Sequence, residues 1–348
     1  MKRKHMKKNA AAFLAAAVIL TLTGCAPGRG FGVSGKQQYE TSFLDLFDTV
    51  TVLKGYAQSE EEFTEQARKA EQILRAYHED ADIYHDYEGI GNLKTVNDNA
   101  GIREVEVRPE LIELLTFGRE VYDASGGRVN IFMGSVLELW HEARETAAAD
   151  PAAAYLPEET ALKEASEHTD PDTVIIDPVR NTVYITDPGQ RIDAGAIAKG
   201  FAAQKAIEKM PQGYVLNLGG NICLSGAKAD GSGWIVGVQD PDSDTYRNRI
   251  EITKGAVVTS GDYQRYFELN GRRYHHIIDP ATGMPAEKWR SVTIVTEDSG
   301  IADFLSTALF LMDREESAAL LEKYGSEAYW IAPDGTEYRS GGFDAYLK

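Results

Sequence analysis

The sequence predicts an α+β fold on three observations. Strand-like and helix-like stretches are mixed along the chain, and residues from 173 onward are rich in short strands. Asn270-Gly271, between two such strands, is a strong type I′ hairpin signal. So much antiparallel pairing argues against a doubly wound sheet. In chain order, "FDTVTVLKGYA" (47–57) alternates like a strand. Ser59 and Glu62 then make a capping box for a helix with Phe63, Ala67, Ala70, Leu74 and Tyr77 on one stripe. Pro109, at a first helical position, opens a second helix that Gly126-Gly127 closes. Residues 145–172, rich in Ala, Glu and Pro, read as an exposed helix and loop of little information. "TVIIDPVRNTVYITDPG" reads as a hairpin and "IDAGAIAKGFAAQKAIEK" as a strand running into a helix. "YVLNLGGNICLSG" and "GWIVGVQDP" read as two more strands, and "RIEITKGAVVTSG", "YQRYFELNGRRYHHIID" and "SVTIVTE" extend the sheet. Two helices, "GIADFLSTALFLM" and "EESAALLEKYG", precede a terminal hairpin turning at "APDG".

The N-terminus sets the expected compartment. Lys2, Arg3, Lys4, Lys7 and Lys8 precede the apolar run "AAAFLAAAVILTL", which has signal-peptide length and is too short to span a bilayer comfortably. The run ends in "LTGC", small residues before a cysteine, as a lipoprotein signal peptidase requires. Residues 1–24 therefore read as a lipoprotein signal peptide, Cys25 as the lipidated first residue, 25–38 as a flexible tether and 39–348 as one domain. This places the chain at the cell membrane, lipid-anchored on the extracytoplasmic face. Cys223 is the only other cysteine, so no disulfide framework is expected. The formal net charge of −18 becomes −23 once the signal's five basic residues are gone. Such a chain should repel nucleic acid and anionic lipid, so only the lipid would anchor it. An anionic substrate would need a local cation, such as a metal.

Three stretches offer chemistry. In "ADFLSTALF", Asp303 precedes Ser306 and Thr307 by three and four residues, which puts a carboxylate and two hydroxyls on one helical face. Hard oxygens of this kind suit Mg²⁺. Taken alone, a helix-starting Asp with hydroxyls bonded back to carbonyls explains them more simply. "DAGAIAKGFA" (193–202) is a Gly-containing turn opening a helix, a place where backbone N–H groups meet phosphate, although it lacks the Walker spacing. Asp193 serves equally well there as an N-cap. In "RYHHIIDPATGMP" (273–285), strand alternation sends His275 and His276 to opposite faces, so at most one enters a given cleft. A neutral imidazole is a natural base for a hydroxyl nucleophile, yet alone a structural histidine is the simpler reading. No His or Cys falls at zinc spacing, and no Gly-x-Ser-x-Gly elbow is present.

In order, "DAGAIAKGFA", "NLGGN", "SGDYQRYF", "RYHHIIDPATGMP" and "ADFLSTALF" resemble the FAD:protein FMN transferases of the ApbE family. The resemblance extends upstream to "ADIYHDYEGIGNLKTVNDNAG" and "RVNIFMGSVLELWH", and so covers roughly residues 40–345. It implies a T-fold-like α+β architecture of two lobes with FAD in the cleft between them and Mg²⁺ bridging the diphosphate. By the same resemblance, Asp303 and Thr307 are metal ligands, and Ala196 gives a backbone carbonyl. Ser306 stands where some members have a second acidic ligand. Asp193, Lys199 and Ile278 match flavin or nucleotide contacts, as do Tyr84 and Arg128-Val129-Asn130, where Asn130 replaces a frequent Asp. Phe47 falls at the first flavin contact, with Phe47-Asp48-Thr49 where many relatives have Met-Gly-Thr. His276 falls at the candidate base.

The activity implied is Mg²⁺-dependent transfer of FMN from FAD to a Thr or Ser hydroxyl of an extracytoplasmic flavoprotein, releasing AMP. An FAD pyrophosphatase giving FMN and AMP is one alternative, and a non-catalytic flavin-binding lipoprotein is another. "DPATGMP" partly resembles the family's acceptor pattern through Asp279 and Thr282, but Met284 departs from it.

Overall fold

The computed structural model describes residues 35–348. The signal segment and Cys25 lie outside the described residues, and the first strand already begins at Gln37, within the last residues of the expected tether.

An eight-stranded antiparallel sheet forms the frame, and both of its faces are buried. Its spatial order is Gln37–Leu46, Thr49–Ala57, Tyr214–Leu218, Asn221–Leu224, Gly255–Gly261, Ser291–Thr296, Glu327–Ile331 and Glu337–Arg339. Alternate residues serve different cores. Leu216, Cys223, Ala256, Val258, Val292, Ile294, Ala328 and Trp330 face the helices Glu60–Ala81, Ala198–Ile207 and Ser299–Leu311. Val215, Ile222, Leu224, Val257, Val295, Tyr329 and Ile331 face a separate hairpin, Trp234–Gln239 with Tyr246–Ile252. Burial on both faces explains why the central strands read as continuous apolar runs instead of alternating ones. It also corrects one expectation: the Tyr246–Ile252 strand does not extend the sheet but covers it, because Trp234, Val236, Val238, Ile250 and Ile252 present one apolar side.

The expected helix after Ser59 spans Glu60–Ala81, and all five predicted stripe residues are buried. Ser59 Oγ accepts the Glu62 N–H at 3.3 Å, while the Glu62 carboxylate takes the N–H of Gln58, one residue before the cap. The Pro109–Ala124 helix, the Val174–Asp177/Thr182–Ile185 hairpin and the Gly325-capped Arg314–Tyr324 helix also form where the sequence signals them. No strand forms at 192–194; the Asn97 side chain holds the Ile192 N–H and carbonyl at 2.8 and 2.9 Å, and the Asp193 N–H donates to the Ile131 carbonyl at 2.8 Å.

The largest departure concerns residues 134–172. Gly134–Ala149 is a helix, and with Glu159–Ser166 it builds a third core. Val136, Trp140, Ala143, Ala147, Leu162 and Ala165 pack there against Phe267, Tyr274 and Ile278. The hairpin Tyr266–Leu269/Arg272–His275 is thus lifted off the main sheet and held by aromatic contacts, with Trp140 and Tyr274 stacked at 6.1 Å between centroids. Its Asn270-Gly271 turn has φ of +54° and +76°, as type I′ requires. Among the described residues no helix is long and apolar enough to cross a membrane.

Candidate active site

The Ser299–Leu311 helix is buried all round, with Phe304, Leu305, Ala308, Leu309 and Phe310 wholly inaccessible. Burial of each large side chain contributes about 1.5–3 kcal/mol, so the helix is firmly placed. Its N-cap is Asp298, whose carboxylate accepts the Ile301 N–H at 2.9 Å. Asp303 therefore does not open the helix, and the helix-starting explanation of its carboxylate falls away. That carboxylate is buried within the second turn, and its Oδ2 accepts the N–H of Gly200, on the neighbouring helix, at 2.7 Å.

Two consequences follow from this contact. The two helices cross at Gly200, where a Cβ would lie 2.3 Å from Asp303 Cβ and 2.4 Å from Ser299 O. Gly200→Ala is therefore expected to cost about 1–3 kcal/mol through overpacking, read as a lower denaturation midpoint, and to displace Asp303. In a regular helix, moreover, the Gly200 N–H would bond the carbonyl four residues back, that of Ala196. With that donor given to Asp303, the Ala196 carbonyl has no hydrogen-bond donor among the described residues.

Thr307 adds a partly buried hydroxyl one turn after Asp303, also without a partner among the described residues. Ser306 differs from it. Its Oγ donates to the Asp303 carbonyl at 2.9 Å and lies 2.8 Å from Ser260 Oγ, so the helix and the Gly255–Gly261 strand already engage it. Loss of solvent raises the Asp303 carboxyl above the usual carboxylate range, against the opposing pull of Lys199 and the Gly200 N–H. Asn221 lies beside the carboxylate, and its buried Nδ2 has no hydrogen bond of good geometry. A desolvated carboxylate, a free carbonyl and a free hydroxyl are oxygen donors that fit a hard divalent cation completed by water and substrate oxygens. No cluster of three or more His, Cys, Asp or Glu able to hold a metal exists among the described residues, so a softer multidentate centre does not fit.

The paired histidines divide their roles. His275 Nε2 donates to the Ala286 carbonyl at 2.7 Å, Nδ1 accepts the Ile277 N–H at 3.2 Å, and the ring meets Phe310 edge-on. Both nitrogens are satisfied, so His275 braces the turn. His276 begins the bend after the strand, and its backbone N–H donates to the Arg265 carbonyl at 3.0 Å. Its Nδ1 is shielded from solvent and has no hydrogen-bond partner. Desolvation first, then the positive charges of Arg265, Arg144 and Lys199, hold the imidazole pKa well below its ordinary value. The ring is neutral, desolvated and available.

Lys199 lies in the fields of both Asp303 and His276 and so connects the oxygen cluster to the base. Asp193, its Oδ1 accepting the Gly195 N–H at 2.8 Å, raises the pKa of the Tyr84 hydroxyl above the phenol range, an effect second to desolvation. The Phe47-Asp48 turn approaches Tyr84 from the first hairpin, with φ of +53° and +52°. Two consecutive left-handed residues without glycine are strained, a condition common at functional sites. The Phe47 N–H is fixed by His78 Nδ1 at 3.2 Å. The remaining flavin-wall candidates are committed within the fold. Arg128 pairs with Glu316 at 3.3 Å, and the Val129 N–H donates to Ser125 Oγ. Asn130 donates to the Thr169 carbonyl and accepts the Phe132 N–H, and Ile278 packs in the third core.

Residue reasoning missed Arg144, Arg265 and His141. Arg265 lies within "SGDYQRYF", where no spacing marks it, and Arg144 lies on the polar side of the Gly134–Ala149 helix. His141 accepts a 2.8 Å hydrogen bond from Arg144 Nη2, and its ring lies 4.9 Å from that of Tyr84.

Comparison with known proteins identifies the family and the fold. The family model for the ApbE family matches residues 47–330. An FAD:protein FMN transferase of Treponema pallidum is 35% identical over 72% of this chain and 73% of its own length. One of Haemophilus influenzae is 26% identical over 99% and 98%. The crystal structure of the ApbE protein from Thermotoga maritima superposes with a TM-score of 0.80 at 29% identity, covering 90% of this chain and all of that one. The flavin transferase ApbE of Vibrio cholerae, at 23% identity and TM-score 0.75, shares the fold. With an antiparallel α+β frame, an oxygen cluster at Asp303 and a matching family model over most of its length, the chain belongs to the ApbE family.

Proposed function

We propose that this protein transfers FMN from FAD to a threonine or serine hydroxyl of a protein acceptor and releases AMP. The names of its relatives, FAD:protein FMN transferase, support flavin transfer from FAD to protein. One observation carries the rest: a neutral His276 with a shielded, unpartnered ring nitrogen stands in the field of Arg265, Arg144 and Lys199, and Lys199 also acts on Asp303.

The hydroxyl oxygen attacks the FMN-side phosphorus of FAD. A phosphoester bond forms, the bridging P–O bond breaks, and AMP departs with the electron pair. His276 takes the hydroxyl proton, and its depressed pKa keeps the ring unprotonated and ready for that role at neutral pH. AMP is a stable leaving group, so no strong acid is needed at that end. Asp303, the Ala196 carbonyl and Thr307 would hold Mg²⁺, which supplies charge neutralisation at the non-bridging phosphate oxygens when bound. Gly200 keeps the Asp303 carboxylate in place, and Lys199 limits the cost of burying it. Tyr84, Asp193 and Phe47 form the proposed flavin wall. The acceptor is taken to be an extracytoplasmic flavoprotein, reached by an enzyme tethered through a lipid on Cys25.

AMP release measured with and without a Thr-bearing acceptor tests this reading. Transfer predicts AMP only when acceptor is present. AMP with free FMN in its absence would make the protein a pyrophosphatase, and no AMP in either case a flavin-binding lipoprotein.

A further inference from the structure

We infer that Arg144 and Arg265 form a phosphate-binding pair that grips the diphosphate of the bound nucleotide beside His276. This deepens the reading above and rests on it.

Neither guanidinium has a carboxylate within ion-pairing distance among the described residues. On the same hairpin region, Arg273 and Arg290 both pair with Asp262, at 3.3 and 2.7 Å. Glu145 and Asp193 reach Arg144 only through their longer-range fields, and no carboxylate hydrogen-bonds either guanidinium among the described residues. Arg144 is partly buried on the Gly134–Ala149 helix, and its hydrogen-bonded side-chain partner is His141. That imidazole accepts from Arg144 Nη2 and is neutral by desolvation, so it orients the guanidinium without cancelling its charge. Arg265 is exposed at the mouth of the hairpin, and its carbonyl holds the His276 backbone. The two cations lie in each other's field and in that of His276, and each raises the cost of the other. An anion between them would remove that cost. A guanidinium fork matches paired phosphate oxygens, and the ring pair Tyr84–His141 at 4.9 Å adds an aromatic wall next to it.

The test compares Arg144→Gln and Arg265→Gln with the wild type by calorimetric titration of FAD, FMN, AMP and riboflavin at fixed Mg²⁺. Thermal unfolding checks that each variant is folded. Each substitution is expected to weaken FAD by about 10- to 100-fold, the scale of a lost charged hydrogen bond, and to leave riboflavin unchanged. Weakening confined to FMN assigns the pair to the transferred phosphate, and weakening confined to AMP to the leaving phosphate; either supports the inference. Arg144→Lys should recover part of the loss. Equal losses for riboflavin and FAD would mean a structural role and overturn it. So would unchanged FAD affinity accompanied by a raised KM for the acceptor, which would give the pair to the acceptor polypeptide. A wild type that binds none of the nucleotides removes the functional reading along with this inference. A wild type that binds FAD no better than its variants removes this inference alone.

Discussion

Asp303→Asn is expected to lower FMN transfer by about 10³-fold or more at ordinary Mg²⁺ while leaving the fold intact. Asparagine keeps the size of the side chain, and its Oδ1 can still accept the Gly200 N–H, which Asp303 takes at 2.7 Å. What disappears is the negative charge. Several kcal/mol of phosphate charge neutralisation depend on that charge, and each 1.36 kcal/mol is tenfold in rate. Stability should not fall, because burial already disfavours the ionised carboxylate and raises its pKa. Asp303→Ala would be less informative, since it also strands the buried Gly200 N–H. Full transfer by Asp303→Asn at the same Mg²⁺ would remove Asp303 from the metal site.

His276→Gln is expected to cut transfer by about 10²- to 10⁴-fold, the range of a lost general base, with FAD affinity unchanged. The pH profile gives a second readout. Desolvation and then Arg265 hold the folded-state pKa of His276 well below 6.5, so the acid limb of kcat/KM assigned to it should lie below that value. The sign for stability follows from linkage. Between the folded and unfolded pKa values the unfolded chain binds more protons, so the contribution of His276 is full above 6.5 and is lost as the pH falls. His276→Gln should therefore lose less stability than the wild type on acidification from neutral pH. Wild-type transfer and an unchanged acid limb in this variant would return His276 to a structural role.

Much of the fold was legible because local signals agreed with the final packing. Ser59, Pro109, Gly325 and Asn270-Gly271 each punctuate an element through backbone chemistry that acts within a few residues. The sheet's membership was harder. Strands buried on both faces and strands of the covering hairpin are both apolar, so Val257 and Ile250 look alike in sequence although one lies in the sheet and the other over it. The Gly134–Ala149 helix was legible in principle. Val136, Trp140, Ala143 and Ala147 follow helical spacing, yet the Ala- and Glu-rich residues after them masked the stripe.

The site shows the same division. Residue spacing placed Asp303, Ser306 and Thr307 on one face but could not tell which oxygens were already engaged. The Gly200 contact sets Asp303 and the Ala196 carbonyl apart from the fully bonded Ser306. The two histidines separate for a similar reason: His275 has partners on both nitrogens, whereas His276 Nδ1 has none. Arg144 and Arg265 are far apart in sequence, and only the fold brings them into each other's field.

Intact-mass spectrometry of the acceptor tests the central claim most directly. The protein is incubated with FAD, Mg²⁺ and a folded extracytoplasmic flavoprotein bearing a candidate threonine, with the acceptor's Thr→Ala variant as control. A gain of one FMN less water on the acceptor, absent from the control and matched by AMP, is the predicted result. An acceptor of unchanged mass while FAD is consumed to FMN and AMP would contradict it.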